Sequence, residues 1–202
     1  MEIPYSYYRF GPYLWQTKLP IELTDELLHR GRQSTVDHSK NLASVIDNVK
    51  VLAQSDREWL AESLIPYFKC YADTLMQQIN YGKDDMVGMQ LQTAWINFQK
   101  KHESNPEHVH NEDFSFVIYC QIPPEIKKAF SQYKGNGHGP GGITFRYGEV
   151  SSWTQTHQNF LPEAGDFFIF PASLAHWVTP FSCDGERISV SGNVKAIVKD
   201  DK

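Results

Sequence analysis

The stretch GDFFIFPASLAHWVTPFSCDGERISVSGN, residues 165–193, indicates how this chain folds, because it combines strand-like apolar segments with a few isolated polar side chains. In a strand, successive side chains point to opposite faces. Ile188 and Val190 therefore share an apolar face, while Arg187 and Ser189 share a polar one. An arginine fork beside a hydroxyl is suited to bind a carboxylate or a phosphate. We expect this polar face to line a cavity.

Three histidines occupy positions that indicate a metal site. His108 and His110 are two residues apart, so both imidazoles point to the same side of an extended segment. His176 lies eleven residues before Arg187, across a turn that contains proline, and we expect it at the mouth of the same cavity. Three imidazoles that converge in this way suit iron, zinc, copper or nickel.

The composition argues against several classes of function. The chain has 202 residues, enough to bury a core, and we expect one domain over residues 1–202. It carries 19 basic and 24 acidic residues, a balance that argues against binding nucleic acid. There is no apolar run of the length that a membrane helix needs and no leader-like start, so the sequence predicts a cytoplasmic protein without a membrane partner.

Periodicity divides the chain into a helical first part and a β-rich second part. Residues 1–88 contain a predicted strand over Tyr8–Thr17, a helix over Leu23–Arg32 and a longer helical stretch that Pro66 should kink or break. Residues 89–202 contain six or seven short strands separated by turns rich in glycine, proline and asparagine. This pattern predicts an α+β fold, in which helices cover one face of an antiparallel barrel or sandwich.

Five segments of the chain together resemble one known family. They are WIN at 95–97, HVHNEDFSFVIY at 108–119, GPGGITFRYGE at 139–149, GDFFIFPASLAHWVTPF at 165–181 and RISVSGN at 187–193. These segments resemble the iron(II)- and 2-oxoglutarate-dependent oxygenases of the prolyl-hydroxylase-like kind, including small oxygenases of phage and marine bacterial genomes. The resemblance implies a double-stranded β-helix, a cupin-like jelly-roll, with N-terminal helices packed on one face.

The resemblance also implies an iron site and a reaction. Fe(II) would be held by His108, by the residue two positions after it and by His176, with open positions left for cosubstrate and O2. Decarboxylation of 2-oxoglutarate to succinate and CO2 would activate oxygen, and the usual outcome is hydroxylation of a substrate.

In the same way the resemblance implies how the cosubstrate is held. The far carboxylate of 2-oxoglutarate would pair with Arg187. Ser189, on the same face, and Tyr119, in the strand after the histidine pair, would complete its hydrogen bonds. Asn97, on the strand before the histidines, stands where relatives contact the cosubstrate.

The third iron ligand is the point at which this chain departs from the family. Relatives have His-x-Asp or His-x-Glu, whereas here His108-Val-His110 is followed by Glu112 and Asp113. Three arrangements are open: His110 binds the metal itself, His110 and Glu112 supply the motif, or a bulge brings Asp113 to the metal. Strand parity favours His108 with His110. Asp113 is the leading alternative, because a carboxylate would balance the charge of Fe(II).

The sequence leaves the substrate open between a small molecule and a peptidyl side chain, and it does not indicate an oligomeric state. The glycine-rich segment Gly135–Gly142 should be a mobile loop that overhangs the pocket. His138 in this loop and Arg146 after it are therefore the candidates for substrate contact.

Two other functions fit histidines in a β-rich domain. One is a cupin-like module that binds metal without catalysis, and the other is a three-histidine cupin dioxygenase that does not use 2-oxoglutarate. Cupins usually have a glutamate shortly after His-x-His, where this chain has Phe114 and Ser115, and they do not need an arginine strand after the distal histidine. These two differences favour the 2-oxoglutarate-dependent dioxygenase.

Overall fold

Two antiparallel β-sheets form the centre of the protein in the computed structural model, which describes residues 11–79 and 86–199. In chain order the elements are β1 (Trp15–Lys18), α1 (Ile21–Gln33), β2 (Val49–Val51), α2 (Gln54–Ile79), β3 (Met86–Gln99), β4 (Asn105–His108), β5 (Phe114–Gln121), α3 (Pro124–Ser131), β6 (Ile143–Arg146), β7 (His157–Phe160), β8 (Asp166–Pro171), β9 (Ala175–Val178) and β10 (Arg187–Val198). The larger sheet has the strand order β1-β8-β5-β10-β3-β2, and the smaller sheet β4-β9-β6-β7.

The larger sheet is covered on both faces. On one face, Leu64 of α2 packs with Ile96 and Ile188 in the core that the helices share with this sheet. On the other face, Phe168 packs against Phe145 of the smaller sheet. The layers are therefore helices, larger sheet and smaller sheet, which confirms the predicted α+β class with helices on one face.

Strand β10 lies in the middle of the larger sheet, hydrogen-bonded to both β3 and β5. It has the predicted alternation. Ile188 and Val190 are fully buried in the core on the helical side, whereas Arg187 and Ser189 line a pocket between the two sheets. The same strand thus joins the hydrophobic core to the site.

Helix α2 does not break at Pro66, although the sequence predicts a kink or a break there. It is one continuous helix of 26 residues with the proline inside. Leu64 before the proline and Phe68 after it are both buried in the same core. This packing holds the two halves in one helix in spite of the lost backbone hydrogen bond.

Within the described part of the chain, neither α2 nor any other helix combines the length and apolarity needed to cross a bilayer.

Residues 1–88 contain two other predicted elements, a helix and a strand, and the structure agrees with the helix more closely than with the strand. Helix α1 confirms the helix predicted over Leu23–Arg32. Strand β1 overlaps only the end of the strand predicted over Tyr8–Thr17, of which residues 8–10 lie outside the described residues.

Local sequence patterns do not predict β2, α3 or β7. Strand β7 has the sequence HQNF, which lacks apolar alternation, and backbone pairing with β6 holds it in place. Helix α3 has eight residues and buries only Ile126. Such short elements depend on partners distant in sequence, which local periodicity does not encode.

Candidate active site

One pocket between the two sheets is lined by seven of the side chains that the sequence predicts for a site. They are Asn97, His108, His110, Tyr119, His176, Arg187 and Ser189. The histidines come from the smaller sheet and the turn beside it, and the other four residues come from the central strands of the larger sheet. The pocket therefore has a histidine end and an arginine end.

The three histidines form a tight cluster. His108 ends β4 and faces His176 of β9 as its Cα partner across the sheet, and their ring centroids are 4.2 Å apart. His110 follows β4, where its backbone N–H donates to the carbonyl of Ala172 at 2.9 Å. Its ring centroid lies 5.0 Å from that of His108 and 5.2 Å from that of His176. One ring nitrogen from each of the three lies within 4.8 Å of the others, the spacing of a metal-ligand set.

Backbone carbonyls fix the tautomers of two of these rings. Nδ1 of His108 lies 2.7 Å from the carbonyl oxygen of Pro106, and Nδ1 of His176 lies 2.9 Å from that of Leu174. A carbonyl oxygen only accepts, so each Nδ1 carries the proton and donates it. This leaves Nε2 of both rings unprotonated, as in most histidine ligands, and the amide nitrogen of Asn105 lies 3.5 Å from Nε2 of His108, at the position where a metal would bind.

Burial keeps the cluster neutral. It lowers the pKa of His176 to about 3, and the neighbouring His108 adds to the effect. Burial likewise lowers the pKa of His110 to about 4, and it lowers the pKa of His108 below its ordinary value. Neutral imidazole is the form that binds metal, so protons compete little for these sites near neutral pH.

The opposite end of the pocket is built around Arg187, whose exposed fraction is only 3%. Its Nη1 donates to the carbonyl of Gly141 at 2.7 Å, and its Nη2 donates to Oε1 of Gln99. Its Nε has no partner among the described residues, and the buried hydroxyl of Tyr119 has none either. Burial raises the pKa of Tyr119 to about 12, so this hydroxyl keeps its proton.

Two orphaned polar groups in one buried region indicate that a polar ligand belongs there. The guanidinium carbon of Arg187 lies 5.6 Å from the centre of the Tyr119 ring. An anion between them would accept hydrogen bonds from both side chains and compensate the buried positive charge.

Asn97 and Ser189 lie beside this region and are hydrogen-bonded to each other. Nδ2 of Asn97 lies 3.4 Å from the hydroxyl oxygens of Ser189 and Ser191. Ser189 is the Cα partner of Asn97 on β3 and of Tyr119 on β5. The register of three adjacent strands therefore brings these side chains together.

Four predicted candidates do not line the pocket. Asp113 is exposed, and its Oδ2 accepts a hydrogen bond from the backbone N–H of Ala196 at 2.8 Å. Glu112 is exposed as well. The structure thus brings neither carboxylate into the histidine cluster.

The two residues predicted for substrate contact lie elsewhere too. The ring of His138 lies 5.3 Å from that of Trp177 and 5.4 Å from that of His157. Nε of Arg146 donates to the carboxylate of Glu107 at 3.0 Å. The glycine-rich loop nevertheless reaches the site through its backbone, because the carbonyl of Gly141 is an acceptor for Arg187.

Two further parts of the pocket lining are not predicted from the sequence. Gln99, which contacts Arg187, is one part; it shares strand parity with Trp95 and Asn97, so that parity was an available signal. The other part is an apolar wall near the histidines that includes Leu42 and Ile46, with Trp95 beside them. The segment that carries Leu42 and Ile46 has no periodic pattern that would predict its position.

The histidine end therefore fits a transition metal, and the arginine end fits a carboxylate. Three neutral nitrogen ligands on one side of a metal leave coordination positions open on its other side. The orphaned hydroxyl of Tyr119 and Nε of Arg187 suit the far carboxylate of a dicarboxylic acid that reaches from the metal.

Comparison with known proteins agrees with this geometry. Residues 93–193 match the family described as "Putative 2OG-Fe(II) oxygenase", where 2OG is 2-oxoglutarate. No curated protein matches the chain by sequence.

Solved structures show the same fold. A prolyl-4-hydroxylase from Pseudomonas putida is 14% identical, with a TM-score of 0.56 over 90% of this chain and 91% of that one. The viral collagen prolyl hydroxylase of Paramecium Bursaria Chlorella virus-1, in complex with 2-oxoglutarate, is 12% identical, with a TM-score of 0.58 over 93% and 98%. HygX from Streptomyces hygroscopicus, with nickel and 2-oxoglutarate bound, is 10% identical, with a TM-score of 0.52 over 90% and 82%. These likenesses confirm the predicted double-stranded β-helix.

Proposed function

The chain belongs to the 2OG-Fe(II) oxygenase family, and on that premise we propose how its residues are divided between the metal and the cosubstrate. Members are oxidoreductases that use Fe(II), 2-oxoglutarate and O2. In our proposal Fe(II) is held by His108, His110 and His176. The observation that carries it is that one nitrogen of each ring lies within 4.8 Å of the others, in the pocket that also contains Arg187.

The histidine set is neutral, in contrast to the His-x-Asp or His-x-Glu of relatives. The orientation of Asp113 supports His110 as the third ligand, because the Asp113 carboxylate accepts a hydrogen bond from Ala196 outside the pocket. Glu112 would need a change of register to reach the metal, since it is exposed in the turn after β4.

The far carboxylate of 2-oxoglutarate belongs, in this proposal, at Arg187. The hydroxyl of Tyr119 donates to it, and Ser189 and Asn97 support it from the neighbouring strands. Both Tyr119 and Arg187 have a buried polar atom without a partner, which supports an anion at this position.

Bound iron, with 2-oxoglutarate and O2, supplies the oxidising chemistry, in which 2-oxoglutarate yields succinate and CO2 and the substrate is hydroxylated. The protein's own residues bind and orient. The carbonyls of Pro106 and Leu174 fix two imidazoles, and Arg187 sets the direction of the cosubstrate. The apolar wall of Leu42, Ile46 and Trp95 limits access of water to the metal.

The remaining predictions belong to the same proposal. Residues 1–202 form one oxygenase domain, in which residues 1–88 support the β-helix of residues 89–202. The substrate is a small molecule or a peptidyl side chain, and the protein acts in the cytoplasm without nucleic acid or membrane partners. Two of the structural neighbours are prolyl hydroxylases, which favours hydroxylation as the outcome.

Anaerobic spectroscopy tests the assignment. Protein with Fe(II) and 2-oxoglutarate should develop the weak metal-to-ligand absorption band of the chelate, and Arg187→Ala should lose it at the same 2-oxoglutarate concentration. Absence of the band in the unmodified protein would refute the proposed site. Formation of succinate separates the proposal from the rival three-histidine cupin dioxygenase, which does not consume 2-oxoglutarate.

A further inference from the structure

The buried charge of Arg187 is held by neutral groups. Its two hydrogen-bond acceptors are the backbone carbonyl of Gly141 and the carboxamide of Gln99. None of the ion pairs formed by the described residues includes Arg187. A buried charge is normally paired with an opposite one. Here the pairing charge has to come from outside the described chain.

Gln99 is built into the site as firmly as Arg187. The two residues are Cα partners on β3 and β10, and the exposed fraction of Gln99 is 1%. A guanidinium only donates, so the atom that faces it must be the amide oxygen. The amide nitrogen of Gln99 in turn donates to the carbonyl of Glu103 at 2.5 Å. Both ends of the carboxamide are thus used, and its orientation is fixed.

We propose that Gln99 is a positioning residue that sets the charge specificity of the cosubstrate site: its neutral carboxamide orients Arg187 without neutralising it. The guanidinium then keeps its full charge for the far carboxylate of the 2-oxo acid. This inference rests on the proposed function, because it needs Arg187 to be the carboxylate-binding residue.

The choice between glutamine and glutamate at this position decides the electrostatics. Glutamate has nearly the same shape, and one oxygen of its carboxylate would stand in contact with the guanidinium inside the protein, while the other would lose the hydrogen bond to the carbonyl of Glu103. The resulting buried ion pair would compensate the charge of Arg187 and repel a second carboxylate. A site with glutamate here would still hold Arg187 in place, yet it would no longer select a dicarboxylic acid.

The experiment measures binding and does not depend on turnover. Protein loaded with Ni(II) is titrated by calorimetry with 2-oxoglutarate and with 2-oxopentanoate, which has a methyl group in place of the far carboxylate. Gln99→Glu should weaken the binding of 2-oxoglutarate by at least about thirtyfold and change the affinity for 2-oxopentanoate by no more than about threefold. The preference for 2-oxoglutarate over 2-oxopentanoate should therefore be lost. Gln99→Met, which removes the acceptor without adding charge, should keep most of the preference. Gln90→Glu, on the exposed part of β3, is the matched control and should change neither affinity.

Two results would overturn the inference. One is that Gln99→Glu keeps the preference for 2-oxoglutarate over 2-oxopentanoate. The other is that Gln99→Met loses this preference as completely as Gln99→Glu, because the hydrogen bond to Arg187, and not the neutrality of residue 99, would then be decisive. Thermal unfolding reports whether each variant folds. Should Gln99→Glu fail to fold, Gln99→Met decides: a retained preference with several-fold weaker binding of 2-oxoglutarate supports the orienting role of a neutral residue, and unchanged affinities for both acids overturn it. Arg187→Met separates this inference from the proposed function. If Arg187→Met still prefers 2-oxoglutarate over 2-oxopentanoate, Arg187 does not bind the carboxylate and the proposed function itself fails. If Arg187→Met loses this preference but Gln99→Glu keeps it, only the role of Gln99 is refuted.

Discussion

The two ends of the pocket differ in how burial acts on charge. At the histidine end, burial removes charge, because it lowers the pKa of His110 and His176 far enough that both rings are neutral near pH 7. At the arginine end, burial acts against a guanidinium that cannot give up its proton. One end therefore presents lone pairs to a cation, and the other presents a fixed positive charge to an anion.

Because of this difference, the two halves of the site can be disturbed separately. The histidines depend on the smaller sheet and its turn, whereas Arg187, Tyr119 and Ser189 depend on the register of the larger sheet. A change at one end should alter metal content without altering selection of the carboxylate, and the reverse should hold at the other end.

Loss of the most buried histidine should have the largest effect. His176→Ala removes the proposed metal ligand that lies opposite His108, and we expect iron content to fall to background and 2-oxoglutarate turnover to fall by at least about a thousandfold. Elemental analysis and a succinate assay measure the two effects. His29→Ala, at an exposed position of α1, is the control. Full iron content in His176→Ala would contradict the assignment.

Truncation at the arginine end should have the next largest effect and leave the metal in place. Arg187→Ala removes the buried cation, and we expect the KM for 2-oxoglutarate to rise by about a hundredfold. Iron content should match that of the unmodified protein. A joint loss of iron and cosubstrate binding would show that the two ends are not independent.

Acid should destabilise the histidine end of the pocket and leave the arginine end charged as before. The folded-state pKa values of His110 and His176 are about 4 and about 3, against an ordinary value of 6.5. Between these values the unfolded chain binds protons that the folded chain does not, so stability is lost as the pH falls from about 6.5 towards 4. Each of the two rings should contribute about 2 kcal/mol, so we expect metal-free protein to be about 4 kcal/mol less stable at pH 5 than at pH 7 in urea unfolding. His110→Asn should flatten this dependence, and an unchanged slope would refute the cause.

Restoring the pattern of the wider family should have the smallest effect. His110→Asp replaces a neutral ligand by a carboxylate at the same position, and we expect iron binding and succinate formation to stay within about tenfold of the unmodified protein. His110→Ala should lose far more of its iron binding and succinate formation than His110→Asp. Asp113→Asn keeps a hydrogen-bond acceptor for Ala196 and should leave iron content unchanged. A larger iron loss in Asp113→Asn than in His110→Ala would make Asp113 the third ligand.

Strand parity accounts for most of what the sequence predicts of the site. Alternation from Arg187 onward separates the residues of the core from those of the pocket, and the same rule places His108 and His110 on one side. Parity needs only the local period of the backbone. It therefore works without knowledge of which strands become neighbours.

The parts that the sequence does not predict depend on contacts between distant segments. Gln99 has the right parity, but its importance comes from the cross-strand partner Arg187, which is 88 positions away. The apolar segment with Leu42 and Ile46 is held by irregular contacts, such as the hydrogen bond from the N–H of Val45 to the carbonyl of Ser104. The orientation of Asp113 likewise follows from its contact with Ala196.

The position of β10 also has a consequence for folding kinetics. This strand follows β3 and β5 in the chain but lies between them in the sheet. Until β10 pairs with them, β3 and β5 each have one edge with unpaired backbone hydrogen-bonding groups. Contacts between segments so far apart in sequence form slowly, and open edges in a partly folded chain can pair with other molecules. Because Arg187 is the first residue of β10, the arginine end of the pocket cannot form before this long-range pairing is complete.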